Sequence, residues 1–145
     1  MKILVSACLL GVPCRYDGQS KTDPRVLALR DRHELIPICP EQLGGLSTPR
    51  APSECRGERV IDENGQDNTK AFRRGAEYAA LISRTLGAEA AVLKAKSPSC
   101  GLGRIYDGTF SGTLTEGSGV TAQALLAAGI PVYTENDLDH FPSAG

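Results

Sequence analysis

Three cysteines follow apolar runs in the same way. Cys8 ends Ile3-Leu4-Val5-Ser6-Ala7, and Cys39 ends Leu35-Ile36-Pro37-Ile38. Cys100 sits in Lys96-Ser97-Pro98-Ser99-Cys100-Gly101-Leu102-Gly103, just past Ala90-Ala91-Val92-Leu93. A proline, glycines and small serines are poor core material there and suit a tight turn that presents a thiol. Thiols at the ends of buried strands serve as metal ligands, as nucleophiles or as small core residues.

The chain holds five cysteines, the other two being Cys14 and Cys55. An odd count argues against a disulfide framework, and no C-x-x-C pair supports a zinc ribbon or a thioredoxin-type couple. Any site is therefore assembled from distant segments. A zinc centre would ordinarily add histidine, but His33 and His140 fall at a helix end and near the C-terminus and read as surface or packing residues. All-thiolate sites select iron–sulfur clusters or zinc. A [4Fe-4S] cluster ordinarily takes four cysteines, so three would leave one iron open for a soft substrate atom such as sulfur.

The elements that must position these residues alternate. Lys2–Ala7 is an unbroken apolar run, the pattern of a strand buried on both faces. Thr22-Asp23-Pro24 starts a modest helix reaching about His33, with a capping residue before a first-turn proline. Leu35–Ile38 is a strand that Pro37 confines to an edge. Residues 39–57 are the least regular segment; with Glu41, Arg50, Glu54 and Cys55 in it, a functional loop is expected. Arg59–Asp62 with Glu63-Asn64-Gly65 reads as a small hairpin with an Asn-Gly turn. Thr69 is expected to cap a long helix to Leu86, packing through Ala71, Phe72, Gly75, Ala76, Ala79 and Leu81-Ile82. A strand at 90–95, a second hairpin within 106–115, a helix at 120–128, a strand at 130–133 and a helical turn at 137–141 complete the chain. The alternation predicts an α/β, Rossmann-like single domain over residues 1–145: a parallel sheet of about four strands, helices on both faces, and small hairpin insertions. Ligands of such sheets gather beyond the carboxyl ends of the strands, where Cys8, Cys39 and Cys100 lie if their strands are neighbours.

Composition narrows the class. With 41% hydrophobic and 23% charged residues the chain is ordinary globular material. A net charge of −1 gives no electrostatic case for nucleic acid or a membrane surface. No run approaches a membrane span, and no signal-peptide pattern opens the chain, so a cytoplasmic location is expected.

In order along the chain, the motifs Val5-Ser6-Ala7-Cys8-Leu9-Leu10-Gly11, Cys14-Arg15-Tyr16-Asp17-Gly18, Cys39-Pro40-Glu41, Gly44-Gly45-Leu46, Pro49-Arg50 and Lys96-Ser97-Pro98-Ser99-Cys100-Gly101 add up to a resemblance. The chain resembles the small domain-of-unknown-function family related to the [4Fe-4S]-dependent thiouracil desulfidases. The resemblance implies Cys8, Cys39 and Cys100 as ligands of a [4Fe-4S] cluster, with the sulfur of a thiolated pyrimidine bound at the open iron and released as hydrosulfide. It implies catalytic roles for Glu41 and Ser97. Cys14 fits the family pattern without being carried over as a ligand, and Cys55 stands where an aliphatic residue is expected. Arg15, Arg50 and Lys96 are candidates for substrate contact or for salt bridges. Gly117-Ser118-Gly119 opens a helix that Ser118 would cap or that would receive an anion. The alternatives are a non-catalytic iron–sulfur or metal-binding protein in sulfur handling, and a thiol-redox protein using Cys8 and Cys14. The expected partner of the lead reading is a small thiolated heterocycle.

Overall fold

In the computed structural model, which describes residues 1–142, the elements in chain order are β1 (Lys2–Ser6), α1 (Pro24–Leu27), β2 (Glu34–Ile38), α2 (Pro40–Leu43), β3 (Ser53–Arg56), β4 (Arg59–Asp62), α3 (Thr69–Leu86), β5 (Ala90–Leu93), β6 (Arg104–Tyr106), β7 (Leu114–Glu116), α4 (Val120–Ala127) and β8 (Val132–Thr134). Short 3-10 turns occupy Ala7–Leu10, Ala28–Asp31 and Leu138–His140. Four strands form one parallel sheet in the order β2-β1-β5-β8. The strands that precede Cys8, Cys39 and Cys100 are thus adjacent. Pro37 sits on the edge strand β2, where a missing backbone donor costs no internal ladder bond.

The sheet is covered on both faces, which is why its strands read as unbroken apolar runs. Leu4, Ile38, Ala91 and Leu93 pack with Ala79 of α3 and with Ala122 and Leu125 of α4. Ile3, Val5 and Val92 pack with Leu9 and Val26 on the other side. Asp23 caps α1 as its sequence predicts, its carboxylate accepting from the backbone N–H groups of Arg25 and Val26. That helix ends at Leu27 and runs on as the 3-10 turn Ala28–Asp31.

Several local expectations change. The segment 39–57 contains α2 and β3, and β3 is the hairpin partner of β4. The Asn64-Gly65 turn exists, but beyond it lies only an isolated bridge between Ile61 and Asp67. Thr69 is the first residue of α3 rather than its cap: its backbone N–H and hydroxyl both donate to Asp67 Oδ1, while its Oγ1 accepts from Val60 N–H. Leu81 is 48% exposed, so the buried stripe of α3 is Phe72, Gly75, Ala76, Ala79 and Ser83.

One packing contact fixes α2, which carries Glu41. A Cβ on Gly75 of α3 would collide with the carbonyl of Pro40, and one on Gly44 with the carbonyl of Ala71. Two glycines let the backbones of α2 and α3 meet directly. Gly75→Ala should destabilise the protein by about 1–3 kcal/mol, the usual cost of overpacking, seen as a lower urea midpoint by circular dichroism. The same change should lower the activity of the folded protein, because relief of the collision moves α2.

Candidate active site

Beyond the carboxyl ends of β1, β2 and β5 lies a cavity of about 640 Å3. Its lining includes Cys8, Cys14, Cys39, Glu41, Ser97 and Cys100. The structure therefore brings together every residue singled out by the resemblance and adds Cys14. Cys55 does not line the cavity; its thiol donates to the carbonyl of Pro98 at 3.5 Å. Arg15, Arg50 and Lys96 line the wall as well. His33 lies at the far, amino-terminal edge of the sheet, 3.2 Å from the N-terminal amine and edge-on to Phe141. His140 is exposed.

Each thiol is positioned by its own device. Cys8 sits in the 3-10 turn that continues β1, and its carbonyl accepts from Lys21 N–H. Cys39 is the residue at the N-terminal boundary of α2, followed by Pro40 in the first helical turn, where a missing N–H is harmless. Cys100 is held most elaborately. Ser97 Oγ accepts the backbone N–H groups of Ser99 (3.1 Å) and Cys100 (3.0 Å). On the other side, the amides of Gly119, Val120 and Thr121 donate to the carbonyls of Gly101, Pro98 and Ser99. The otherwise unpartnered amides that open α4 are thus taken up by the loop of Cys100 and are not free to receive an anion. Ser118 does not cap α4 either; its hydroxyl oxygen accepts from Gly103 N–H at 3.0 Å.

Hydrogen bonding between thiols and burial raise the pKa values of Cys14, Cys39 and Cys100. The Cys39 thiol is pushed far up by its hydrogen bond with Cys14 and by burial. Burial raises Cys100 to about 12, against the lowering effect of Ser6. Cys14 is lowered by its contact with Cys39, yet the contact with Cys8 and burial outweigh this and leave it raised. Raised thiols are slow in disulfide exchange, which counts against a redox couple through Cys14.

Glu41 is one of the carboxylates that line the cavity. Burial lifts its carboxyl above the ordinary range, partly offset by Arg50. Arg50 is itself largely buried and every nitrogen of its guanidinium is engaged. Nε donates to Glu41 Oε1 at 3.1 Å, Nη2 to the carbonyl of Cys14 at 3.0 Å, and Nη1 to Ser47 O and Thr48 Oγ1. Arg50 is thus a salt-bridged side chain that ties Glu41 to the loop of Cys14. Arg15 pairs with Asp17 at 3.7 Å. Sequence patterning does not single out Lys94, which lines the cavity and pairs with Glu135 at 3.0 Å.

A family model for 2-thiouracil desulfurase matches residues 3–137. The chain belongs to that family. The protein YbbK of Bacillus subtilis (strain 168), itself uncharacterized, is 42% identical over 147 residues, covering 94% of this chain and 97% of YbbK. Among solved structures, that of the [4Fe-4S]-dependent thiouracil desulfidase TudS is similar at a TM-score of 0.91 and 48% identity, covering 96% of this chain and 93% of that one. Family membership agrees with the α/β fold and with the motifs around the cavity.

The donor set fits a cluster better than a single ion. Among the described residues no three His, Cys, Asp or Glu side chains converge tightly enough to hold one metal ion. A cluster asks each thiolate to reach a different iron, so its sulfurs stand farther apart. Three buried or half-buried thiols on adjacent strand ends, facing one roomy cavity without histidine, suit that demand.

The Arg50–Glu41 pair is the electrostatic anchor of the wall. Arg50→Met leaves the Glu41 carboxylate without its donor and removes one of the two donors to the Cys14 carbonyl, and should cost about 3–5 kcal/mol, measured by urea unfolding. A Glu41→Gln/Arg50→Met double variant should recover part of that loss.

Proposed function

We propose that this desulfidase removes the sulfur of a small thiolated pyrimidine such as thiouracil, with Cys8, Cys39 and Cys100 holding a [4Fe-4S] cluster and Glu41 and Ser97 managing water and protons. The observation that carries the reading is the arrival of these five side chains at one cavity from three adjacent strand ends. Similarity to the [4Fe-4S]-dependent TudS supports the cofactor. When bound, the cluster supplies a Lewis-acidic iron without a protein ligand, a place for the substrate's sulfur.

The net exchange is a hydrolysis: one water replaces sulfur at the ring carbon, hydrosulfide and a proton leave, and no electrons are consumed. The chain's own residues divide that work. Glu41 is held at Oε1 by Arg50, while Oε2 has no hydrogen-bond partner among the described residues and is available to a water. The carboxylate takes a proton from that water as it attacks, a contribution of roughly 10²–10⁴ in rate for a positioned base. Ser97 Oγ already accepts two backbone N–H groups, so what it offers the cavity is its proton. It donates that hydrogen bond to the ring and orients the substrate. The burial of Cys8 and Cys100 and of most of the Glu41–Arg50 pair lowers the local dielectric, which strengthens these polar contacts.

Anaerobic reconstitution with iron and sulfide, followed by 2-thiouracil, should yield hydrosulfide and uracil in equal amounts. A stable cluster with no release would make the protein a carrier instead. Cys8→Ser, Cys39→Ser and Cys100→Ser should each lower bound iron and the visible absorbance of the cluster, whereas Cys55→Ser should leave both unchanged. Glu41→Gln should keep the absorbance and lose about 100-fold or more in turnover; undiminished turnover removes Glu41 from the mechanism.

A further inference from the structure

A second wall of the cavity is aromatic. Tyr106 at the end of β6, and Phe110 and Gly112 in the loop to β7, line it together with Tyr16. Among the described residues two non-glycine positions have positive φ, Lys96 (+68°) and Phe110 (+57°), and both face this cavity. The left-handed region is unfavourable for a bulky L-residue and persists only where the surroundings enforce it.

The enforcing group is Glu54 of β3. Its Oε1 accepts from the backbone N–H of Gly108 at 3.0 Å and of Phe110 at 3.1 Å, and the residue is only 8% exposed. Glu54 forms no salt bridge among the described residues; its oxygen serves two amides of one turn. Arg56 Nε fixes the same turn from the next position but one, donating to Gly108 O at 2.7 Å. Gly108, at φ +93°, has no space for a Cβ, which would stand 2.5 Å from Arg56 Cγ and 2.8 Å from Cys55 O. The hairpin β3–β4 is thus the clamp of the Phe110 turn, a role invisible in its own sequence.

A clamp of this kind is not needed to bury a phenylalanine, and Phe110 remains only half-buried. The remaining cavity wall mixes thiols, serines and charged side chains with prolines, alanines and Ile38, none of which presents a flat ring face without polar atoms. A half-exposed ring without polar atoms offers a ligand there one thing, a flat apolar face. We infer that Phe110 is a specificity-determining residue that stacks on the planar ring of the substrate, and that Glu54 is the positioning residue that holds it there. The inference rests on the desulfidase reading for the identity of the ring and on the turn geometry for the contact.

Binding and turnover test it separately. Uracil and its ring-saturated, puckered counterpart dihydrouracil serve as unreactive probes by calorimetry on the reconstituted protein, and 2-thiouracil serves for steady-state kinetics. Phe110→Ala should weaken uracil roughly tenfold, the scale of one base–aromatic stack, and leave dihydrouracil nearly unchanged. KM for 2-thiouracil should rise by a similar factor, with kcat and cluster absorbance retained. Phe110→Tyr should behave as the unaltered protein. Glu54→Gln, which keeps the shape but loses the charge behind both amide bonds, should weaken uracil in the same ring-selective way. Equal loss of both probes, no loss of either, or a fall in kcat at constant KM in Phe110→Ala overturns the inference. Absence of hydrosulfide release from 2-thiouracil in the unaltered protein would instead overturn the desulfidase reading, while the binding arm still decides the role of Phe110.

Discussion

The site depends on β1 lying between β2 and β5 in parallel register. Ser6 pairs with Ile38, and Val5 with Val92, so the three strands finish at nearly the same level of the sheet. Because they are parallel, their exits share one edge, and each exit turns immediately into a segment bearing a thiol. Had any one of the three been antiparallel, or had β8 come between β1 and β5, one thiol would leave from elsewhere. The apolar side chains on both faces make the register hard to slip, since a shift by one residue would exchange the two cores.

Around that edge the protein completes its loops with backbone groups rather than with extra side chains. The opening amides of α4 satisfy the carbonyls of Pro98, Ser99 and Gly101, so the end of one helix rigidifies the loop of Cys100. The glycine contact between α2 and α3 sets the height of Glu41 above the sheet. Arg50 then joins the Glu41 segment to the Cys14 loop through four hydrogen bonds from one guanidinium. This is the fork geometry that lysine lacks. The two hairpins, peripheral to the sheet, form the remaining wall through Glu54 and the 107–112 turn.

Much of this was legible from residue pattern. Unbroken apolar runs marked the buried strands, Asp23-Pro24 marked the start of α1, and Pro37 marked an edge. Each of these signals is local: burial on both faces, a capping carboxylate and a missing donor leave their mark within a few residues. Local pattern is silent where the controlling partner is distant. Ser53–Arg56 was unremarkable as sequence because its pairing with β4 and its grip on residues 108–110 are tertiary. Ser118 looked like a cap, but the amides it would have served belong to the loop of Cys100.

Residue type and local pattern set the chemistry on offer: thiols, an acid and a serine in turns that follow apolar strands, in the motif order of a desulfidase family. Spacing along the chain carries residue type and local conformation, and so it could say which groups leave strand ends. Tertiary structure alone decided that the three strands are neighbours, that Cys14 joins the cavity while Cys55 stays outside it, and that Arg50 serves Glu41. Those outcomes follow from strand order and from which loop donates to which carbonyl. Both are settled by packing between segments tens of residues apart, and no local propensity records them.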